Sequence, residues 1–449
     1  MPHINIKKGH NLRISGTPDK NIVEINNFET VAILPTDFKG VKPKLIIKEG
    51  EEVKIGSPLF FDKINPDIKW GSPASGTVKS IEYGRRRIIQ KIEISLNDNQ
   101  DQIEKQKYNN SDIISLGRQE ALNIILGANI FPMFRQRPFN TIPDPSIIPR
   151  DIFVSAINTA PLSVDLEVVM ENENQSFQAG IDALNTITSG KVYLTTKPKS
   201  ILSSIQNVEL NTISGPHPAG NIGIQIHHIA HLKPGQSVWT INAQDVIAIG
   251  KLFLNGIYDP TRVITLAGPC VRDPGHFRVM TGAKISSIIG DRLTQDKSRI
   301  ISGDILTGRT SSGDDYLSFF DYTVSVISAQ VRREFVGMLN PGSSKNRYSL
   351  TPVFFSFGKI LFPFNTAQNG SHRAIVPISA WERVLPMDIL PNELYRSILA
   401  EDIDEMEKLG LIECDDEDFA LCSFSCPSKT DVSGVIRRGL DMLWAEGEK

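Results

Sequence analysis

Three cysteines near the C-terminal end, Cys414, Cys422 and Cys426-Pro427, are spaced closely enough to suggest a redox centre. A ferredoxin-type cluster run reads C-x₂-C-x₂-C-x₃-C-P. With Cys426 as the last ligand, Cys422 falls correctly on the third position. The first two positions fall on Asp416 and Phe419, and Cys414 is out of register. The expectation is a degenerate cluster remnant with buried thiols and no metal. A second concentration of ligand-type residues is Gly215-Pro-His-Pro-Ala-Gly-Asn-Ile-Gly-Ile-Gln-Ile-His-His-Ile-Ala-His. It holds His217, His227, His228 and His231, half of the chain's eight histidines. The glycines fit neither G-x-G-x-x-G nor a P-loop, because Asn221 stands where the P-loop needs lysine. On a helix His227 and His231 would share a face and could bind a metal, but no acidic residue makes the set H-E-x-x-H. The simpler reading is a Pro/Gly loop leading into an apolar strand, with histidines that shape a pocket or an interface. The acidic run Glu413, Asp415, Asp416, Glu417 and Asp418 reads as a solvated face. No G-x-S-x-G elbow or Cys/His nucleophile pattern is present, so no catalytic residue is expected.

Residues 45–78 carry a sharper signal. Gly50, Val53, Gly56 and Leu59, followed by Pro73-Ala-Ser-Gly-Thr-Val, resemble the biotinyl/lipoyl barrel-sandwich module. Glycines permit its tight hairpins and alternating apolar positions fill a small barrel. A working carrier of this type presents a lysine at a hairpin tip. Here spacing places the tip near Asn65-Pro66, with Lys63 and Lys69 only flanking it, so swinging-arm chemistry is not expected. A last candidate is Phe131-Pro-Met-Phe-Arg-Gln-Arg-Pro-Phe. Phe131, Phe134 and Arg135 offer the aromatic walls and the donor that a quinone site needs, and His217 offers a second donor. The same composition suits a contact with a partner protein.

The elements that must position these residues fall into four parts. At 449 residues the chain exceeds one hydrophobic core. Hydrophobic residues are 40% and charged residues 22%, ordinary for a globular protein, and the net charge of −3 supplies no field for nucleic acid. Four cysteines are too few for a disulfide framework. No run reaches the roughly 18–20 apolar residues of a membrane span, and the start lacks the apolar h-region of a cleaved signal peptide. Residues 1–30 have no clean period. From Val31 to Leu96 repeated Gly and Pro cut the text into short strands, and residues 97–110 read as a polar linker or loop. Helices then alternate with strands: helical Gln119–Leu126, strand Asp151–Asn158, helical Gln175–Ser189, strand Lys191–Thr196 and helical Ala243–Leu254. That alternation implies an α/β layer with a mostly parallel sheet. Strand signals return at Arg262–Ala267, Phe277–Met280, Arg299–Gly303, Tyr322–Ile327 and Val353–Phe357, around a short helix near Ile285–Ile289. After Pro377 the text is helical and acidic, with Leu390–Leu409 the clearest piece. The expected division is a barrel-sandwich domain with an N-terminal extension (1–100), a Rossmann-like α/β domain (101–256), a β-grasp or SLBB-like domain (257–376) and a helical domain resembling a degenerate iron–sulfur-binding domain (377–449).

These pieces in this order resemble one family along nearly the whole chain. The residues that carry the likeness are Ile6-Lys-Lys-Gly-His-Asn-Leu, Pro73-Ala-Ser-Gly-Thr-Val, Gly215-x-His-Pro-Ala-Gly and Gln244-Asp-Val-Ile-Ala-Ile-Gly-Lys-Leu-Phe. Leu266-Ala-Gly-Pro, Arg383-Val-Leu-Pro-Met-Asp-Ile-Leu-Pro and Asp418-Phe-Ala-Leu-Cys-Ser-Phe-Ser-Cys-Pro-Ser-Lys complete them. Together they look like the A subunit of the bacterial Na⁺-translocating NADH:quinone oxidoreductase, a family related to the C subunit of Rnf complexes and the flavin subunit of complex I. The resemblance implies a peripheral subunit on the cytoplasmic face of the inner membrane, docked on membrane-embedded partners. It implies no cofactor held by this chain, with NADH, flavins and iron–sulfur centres on the partners and ubiquinone as the substrate of the complex. The alternatives from other classes are a free-standing flavin-dependent NADH oxidoreductase, a carrier domain and a non-redox scaffold.

Overall fold

The computed structural model of the chain describes residues 2–330, 348, 350, 360–376 and 378–447, and the strand expected over Val353–Phe357 lies outside them. The first strands are β1 (His3–Asn5) and β2 (Asp19–Glu24). Seven more follow: β3 (Thr30–Ile33), β4 (Pro43–Leu45), β5 (Glu52–Val53), β6 (Pro58–Asp62), β7 (Lys69–Gly71), β8 (Gly76–Tyr83) and β9 (Ile89–Leu96). Antiparallel β3-β9-β8-β5 faces antiparallel β4-β6-β7. Val31, Ile33, Phe60, Ile68, Trp70, Ile92 and Ile94 are buried in the core they share, with Phe60 stacked on Trp70 at 4.6 Å. The β6–β7 turn closes where the Ile68 N–H donates to the Asn65 carbonyl, so Asn65 is at the tip, and Lys63 is exposed to one side of it.

The second part holds α1 (Asn110–Ser115), α2 (Arg118–Gly127), β10 (Arg135–Arg137), β11 (Ile152–Ala156), α3 (Leu166–Val169) and α4 (Asn174–Ile187). After these come β12 (Val192–Thr196), β13 (Glu209–Ser214), α5 (Ile222–Ala230), β14 (Val238–Asn242) and α6 (Ala243–Asn255). Its sheet runs β1-β13-β12-β11-β14-β10, parallel except for β10 at the edge. Strand side chains alternate between faces. Ile152 and Val154 accordingly join Phe177, Ile181 and Leu184 of α4 and Val246 and Ile249 of α6, whereas Phe153 meets Ile226 of α5 on the other face. α4 and α6 touch backbone to backbone: a Cβ on Gly250 would lie 1.7 Å from the Ser176 carbonyl oxygen.

In the third part β15 (Thr261–Ala267), β16 (Gly275–Met280), α7 (Ile285–Ile289), β17 (Ser298–Ser302), β18 (Arg309–Ser311) and β19 (Thr323–Ser328) build the sheet β18-β17-β19-β15-β16-β2. Ile285, Ile288 and Ile289 of α7 pack on Ile264, Leu266, Phe277 and Val324. The first two strands thus leave the barrel, β1 completing the sheet of the α/β part and β2 that of the third part, with His3 opposite Thr212 and Ile22 opposite His276. Both lie at sheet edges and β2 is almost wholly exposed, which explains why residues 1–30 show no alternation.

The fourth part contains α8 (Pro391–Leu399), α9 (Ile403–Lys408), α10 (Ala420–Ser425) and α11 (Val432–Gly447). The single helix expected over Leu390–Leu409 is two. Glu401 adopts φ 58° and the Asp402 carboxylate accepts the Glu405 N–H at 3.0 Å, which caps a fresh helix. Cys414, Cys422 and Cys426 are buried with Leu394, Met406, Phe419, Ile436 and Leu440 in one apolar core that also takes in Ile213 and Ile224. Among the described residues no helix is long and apolar enough to cross a membrane.

Candidate functional site

In the parallel sheet the chain leaves β11 toward β12, whereas β14 lies on the other side of β11. Neighbouring strands whose connections diverge leave a crevice beyond their carboxyl ends. A cavity of about 390 Å³ opens there, lined by Ser155 at the end of β11, Ile157 and Asn158 just after it, Thr240–Asn242 of β14 and Gly220–Ile222 at the start of α5. The third part adds Asp304 and Phe320–Thr323, and the fourth adds Asp415–Glu417.

Of the residues nominated from sequence, Arg135 and His217 line this cavity. Phe131 and Phe134 do not. Both are fully buried and pack on Trp239, with ring centroids 5.6 and 5.5 Å away, so they hold the sheet from inside. Phe131–Met133 is a 3-10 turn, in which residues three apart share a side, so Phe131 and Phe134 go inward together while Met133 and Arg135 take the cavity side. The Arg135 guanidinium sits over the Phe320 ring at 4.5 Å. The His217 loop is pinned by the His217 N–H donating to Asn11 and the His10 N–H donating to the His217 carbonyl, both at 2.8 Å. His217 Nδ1 lies 3.2 Å from Thr159 Oγ1, and Nε2 is buried without a hydrogen-bond partner among the described residues. Burial pushes the imidazole pKa down to about 4 against the opposing pull of Asp304, so the ring is neutral near pH 7.

After the His217 loop the chain forms α5 and not the expected strand. Ile222, Ile224, Ile226 and Ile229 are apolar on several faces because the helix is sandwiched between sheet and C-terminal domain, which erases helical periodicity. His227 Nδ1 donates to Glu413 Oε2 at 2.8 Å while Nε2 accepts the Asp388 N–H at 3.1 Å. His228 Nε2 donates to the Pro386 carbonyl at 2.8 Å. These histidines join α5 to the fourth part. Among the described residues no three or more His, Cys, Asp or Glu are grouped to hold a metal. The four cysteines are free and buried, and burial pushes the Cys414 and Cys422 thiols well above their usual range.

The acidic run is not a solvated face. Asp415 and Asp418 are each 1% exposed. Arg137 Nη2 reaches Asp415 Oδ2 at 3.0 Å and Glu417 Oε1 at 2.6 Å, Asn140 donates to Asp415 Oδ2 at 2.7 Å, and Arg437 Nη1 lies 3.4 Å from Asp415 Oδ1. Burial works against ionisation of Asp415, but Arg137 and Lys39 outweigh it and hold its pKa at about 2. Asp418 goes the other way, raised by burial and by Glu417. Asn221, just before α5, donates to the Glu417 carbonyl at 3.1 Å. A Cβ at Gly223 would fall 2.0 Å from Asp418 Oδ2, so only glycine lets the acidic segment come this close to the first turn. A helix N-terminus at such a crevice is where a nucleotide phosphate ordinarily binds. Here the chain's own carboxyl group occupies it. Asp304, Asp321, Asp415, Asp416 and Glu417 line the cavity, with Lys39 and Arg135 as the cations among its lining residues.

Sequence reading missed the pair beside Arg135. Tyr322 Oη donates to Asp245 Oδ2 at 2.8 Å, and burial raises the pKa of both groups. Nothing local announces it, since Asp245 opens α6 and Tyr322 precedes β19. Residues of four parts meet only in the folded chain.

Family models match three stretches of the chain. A family model for the NqrA N-terminal barrel-sandwich hybrid domain matches residues 4–97, one for the NqrA second alpha/beta domain matches 116–258, and one for the NQRA C-terminal domain, of SLBB type, matches 263–313. The A subunit of the Na(+)-translocating NADH-quinone reductase of Pasteurella multocida (strain Pm70) is 40% identical over 448 residues, 99% of this chain and 100% of that protein. The same subunit of Histophilus somni (strain 2336) is 40% identical over 448 residues, and that of Glaesserella parasuis serovar 5 is 39% identical over 450, with the same coverage. An NAD+-reducing [NiFe]-hydrogenase crystal structure overlaps 49% of this chain and 47% of its own at 14% identity and a TM-score of 0.34, too low to bear on fold or function. With close to the full length of both chains aligned and the modules matched in sequence order, the chain belongs to the NqrA family, the A subunits of the Na(+)-translocating NADH-quinone reductases.

Proposed function

We propose that this chain is a peripheral subunit of an Na⁺-pumping NADH:ubiquinone reductase and that its crevice takes the head group of a quinone. The observation that carries the reading is the character of the cavity. It is acidic where a nucleotide would place phosphate, yet it offers Met133, Ile157, Leu166, Phe320 and Tyr322 as walls and Arg135 and His217 as polar groups. A neutral, flat, dicarbonyl ligand suits that combination, since its carbonyl oxygens need donors and no counter-charge. Neutral His217, with one ring nitrogen lacking a partner, is able to offer an N–H there. NADH, flavins and iron–sulfur centres lie on partner subunits in this reading, and electrons reach the quinone from them. The chain docks on the membrane-embedded subunits from the cytoplasmic face. The four-part division at 1–100, 101–256, 257–376 and 377–449 belongs to the proposal, with the second part Rossmann-like, the third β-grasp-like and the fourth a remnant of an iron–sulfur-binding domain.

The test is a titration of the purified chain with a short-chain ubiquinone, followed by quenching of tryptophan fluorescence. Saturable binding is expected, weakened on the order of tenfold by H217Q or R135Q, the loss of about one hydrogen bond. A wild-type chain that binds no quinone leaves only a scaffold role. A purified chain that is yellow with bound flavin supports the free-standing flavoenzyme instead.

A further inference from the structure

The turn between β8 and β9 reads Tyr83-Gly84-Arg85-Arg86-Arg87-Ile88. Successive strand residues point to opposite faces, and here Glu82 and Tyr83 are both exposed, as is every residue from Arg85 to Ile88. The tip therefore stands clear of the barrel on both faces. Tyr83 is 54% and Ile88 53% exposed, so an aromatic and an aliphatic side chain frame three arginines. None of the three guanidinium groups makes a hydrogen bond or ion pair with a described residue. The carboxylate next to them in sequence, Glu82, is engaged by Lys91 at 2.8 Å and does not neutralise them.

The backbone adds a second observation. Arg86 and Arg87 adopt φ 56° and 58°, a left-handed conformation that long side chains disfavour and that Gly or Asn takes readily. The turn is nonetheless closed, the Gly84 N–H donating to the Ile88 carbonyl at 2.8 Å and the Ile88 N–H to the Arg85 carbonyl at 3.3 Å. Strain held at a solvent-exposed tip adds nothing to the barrel core, and it keeps three arginines together on one closed turn.

We infer that this tip is a docking point for an anionic phospholipid surface. A projecting turn offers no flat area comparable to the roughly 800 Å² per side of a specific protein–protein interface. A bilayer surface is deformable and fits a convex tip. The amphipathic Tyr83 ring belongs at the level of the head groups, Ile88 beneath them, and the arginines on the phosphates. The rest of the chain gives no general attraction, because the net charge is −3. The inference stands apart from the quinone reading, as the tip lies in a different module from the cavity.

The experiment is co-sedimentation of the purified full chain with vesicles of phosphatidylcholine alone and of phosphatidylcholine mixed with phosphatidylglycerol. Binding only to the mixed vesicles, weakened by salt, is expected. The variant R85Q/R86Q/R87Q is expected to lose on the order of a hundredfold in partitioning, roughly fivefold per arginine. Y83S/I88S should weaken binding while leaving its salt dependence. A control with the same charge change elsewhere, K105Q/K107Q/K233Q, should bind like wild type, and all variants should keep the wild-type unfolding midpoint because the tip is exposed. Equal binding to both vesicle types, or an equal loss in the lysine control, overturns the inference. So does absence of vesicle binding; if the arginine variant then fails to co-purify with other subunits, the tip belongs to an acidic protein face instead.

Discussion

Replacing Arg137 by Met removes the cation on which the acidic segment 415–418 is built. Arg137 is 3% exposed, and its Nη2 alone serves Asp415 and Glu417. Breaking a buried ion pair by deleting one partner costs about 3–5 kcal/mol. Two features reduce that here. Arg437 and Asn140 still reach Asp415, and Arg137 Nε and Nη1 are buried without partners among the described residues, so their loss relieves a penalty of about 1 kcal/mol or more. The expected net loss is about 2–3 kcal/mol, read as a lower urea midpoint and faster hydrogen exchange over residues 413–425. R137M/D415N should be more stable than additivity predicts, by about 1–2 kcal/mol. The pH dependence has a definite sign. Asp415 is depressed to about 2 in the fold from 3.8. Its contribution is present above the unfolded value and is lost as pH falls through the folded one. The gap between wild type and R137M should therefore hold from pH 7 to about 5 and narrow below about 4. A gap that persists undiminished at about pH 3, or a double variant no better than additive, refutes the electrostatic account and leaves only lost packing.

Three further outcomes follow from the same structure. Gly250→Ala should cost about 3 kcal/mol or more, because its Cβ would collide with the Ser176 carbonyl and part α4 from α6; an unchanged unfolding midpoint counts against the close approach. Phe134→Ala should lose about 3–5 kcal/mol of stability yet keep quinone affinity, whereas Arg135→Gln should do the reverse; an affinity loss confined to Phe134→Ala would return the aromatic pair to the binding site. Asp321, raised to about 6 by burial and by Asp37 from an ordinary 3.8, keeps its proton longer in the fold than in the unfolded chain. Stability from this group therefore falls as pH rises from about 4 to 6 and stays low above that. Asp321→Asn should remove that part of the slope in urea midpoints, and an identical slope in wild type and variant rejects the assignment.

What the sequence makes legible is set by where each residue's partners come from. α4 is readable because Phe177, Ile181, Leu184 and Ile187 all fall on one buried face at helical spacing. The hairpin tip at Asn65 is readable because glycines and prolines fix the turns on both sides by themselves. α5 is not, since it is covered on more than one side and its apolar residues no longer keep the helical period. The Asp415–Asp418 run looks solvent-exposed until Arg137, Arg437 and Asn140, far away in sequence, are brought against it. The aromatic segment misleads in a subtler way. Its composition suits a quinone wall, but the 3-10 turn at Phe131–Met133 sends Phe131 and Phe134, three apart, inward and leaves Met133 and Arg135 for the cavity. Composition names the segment, and only the fold says which side of it is used.

The placement of β1 and β2 bears on how the chain is made. Both strands leave the ribosome early, yet the strands they complete arrive much later. His3 bonds to Thr212 across a separation of 209 residues, and β2 waits for β16. At about 5–20 residues per second, the first strand spends roughly 10–40 s without its neighbour. During that interval the edge that β1 will cover in one sheet and the edge that β2 will cover in the other stay open to foreign strands. The barrel between them is able to close on its own first, which would leave the leading segment as a trailing tether. Each of these two sheets is thus sealed by a strand made long before the strand it pairs with.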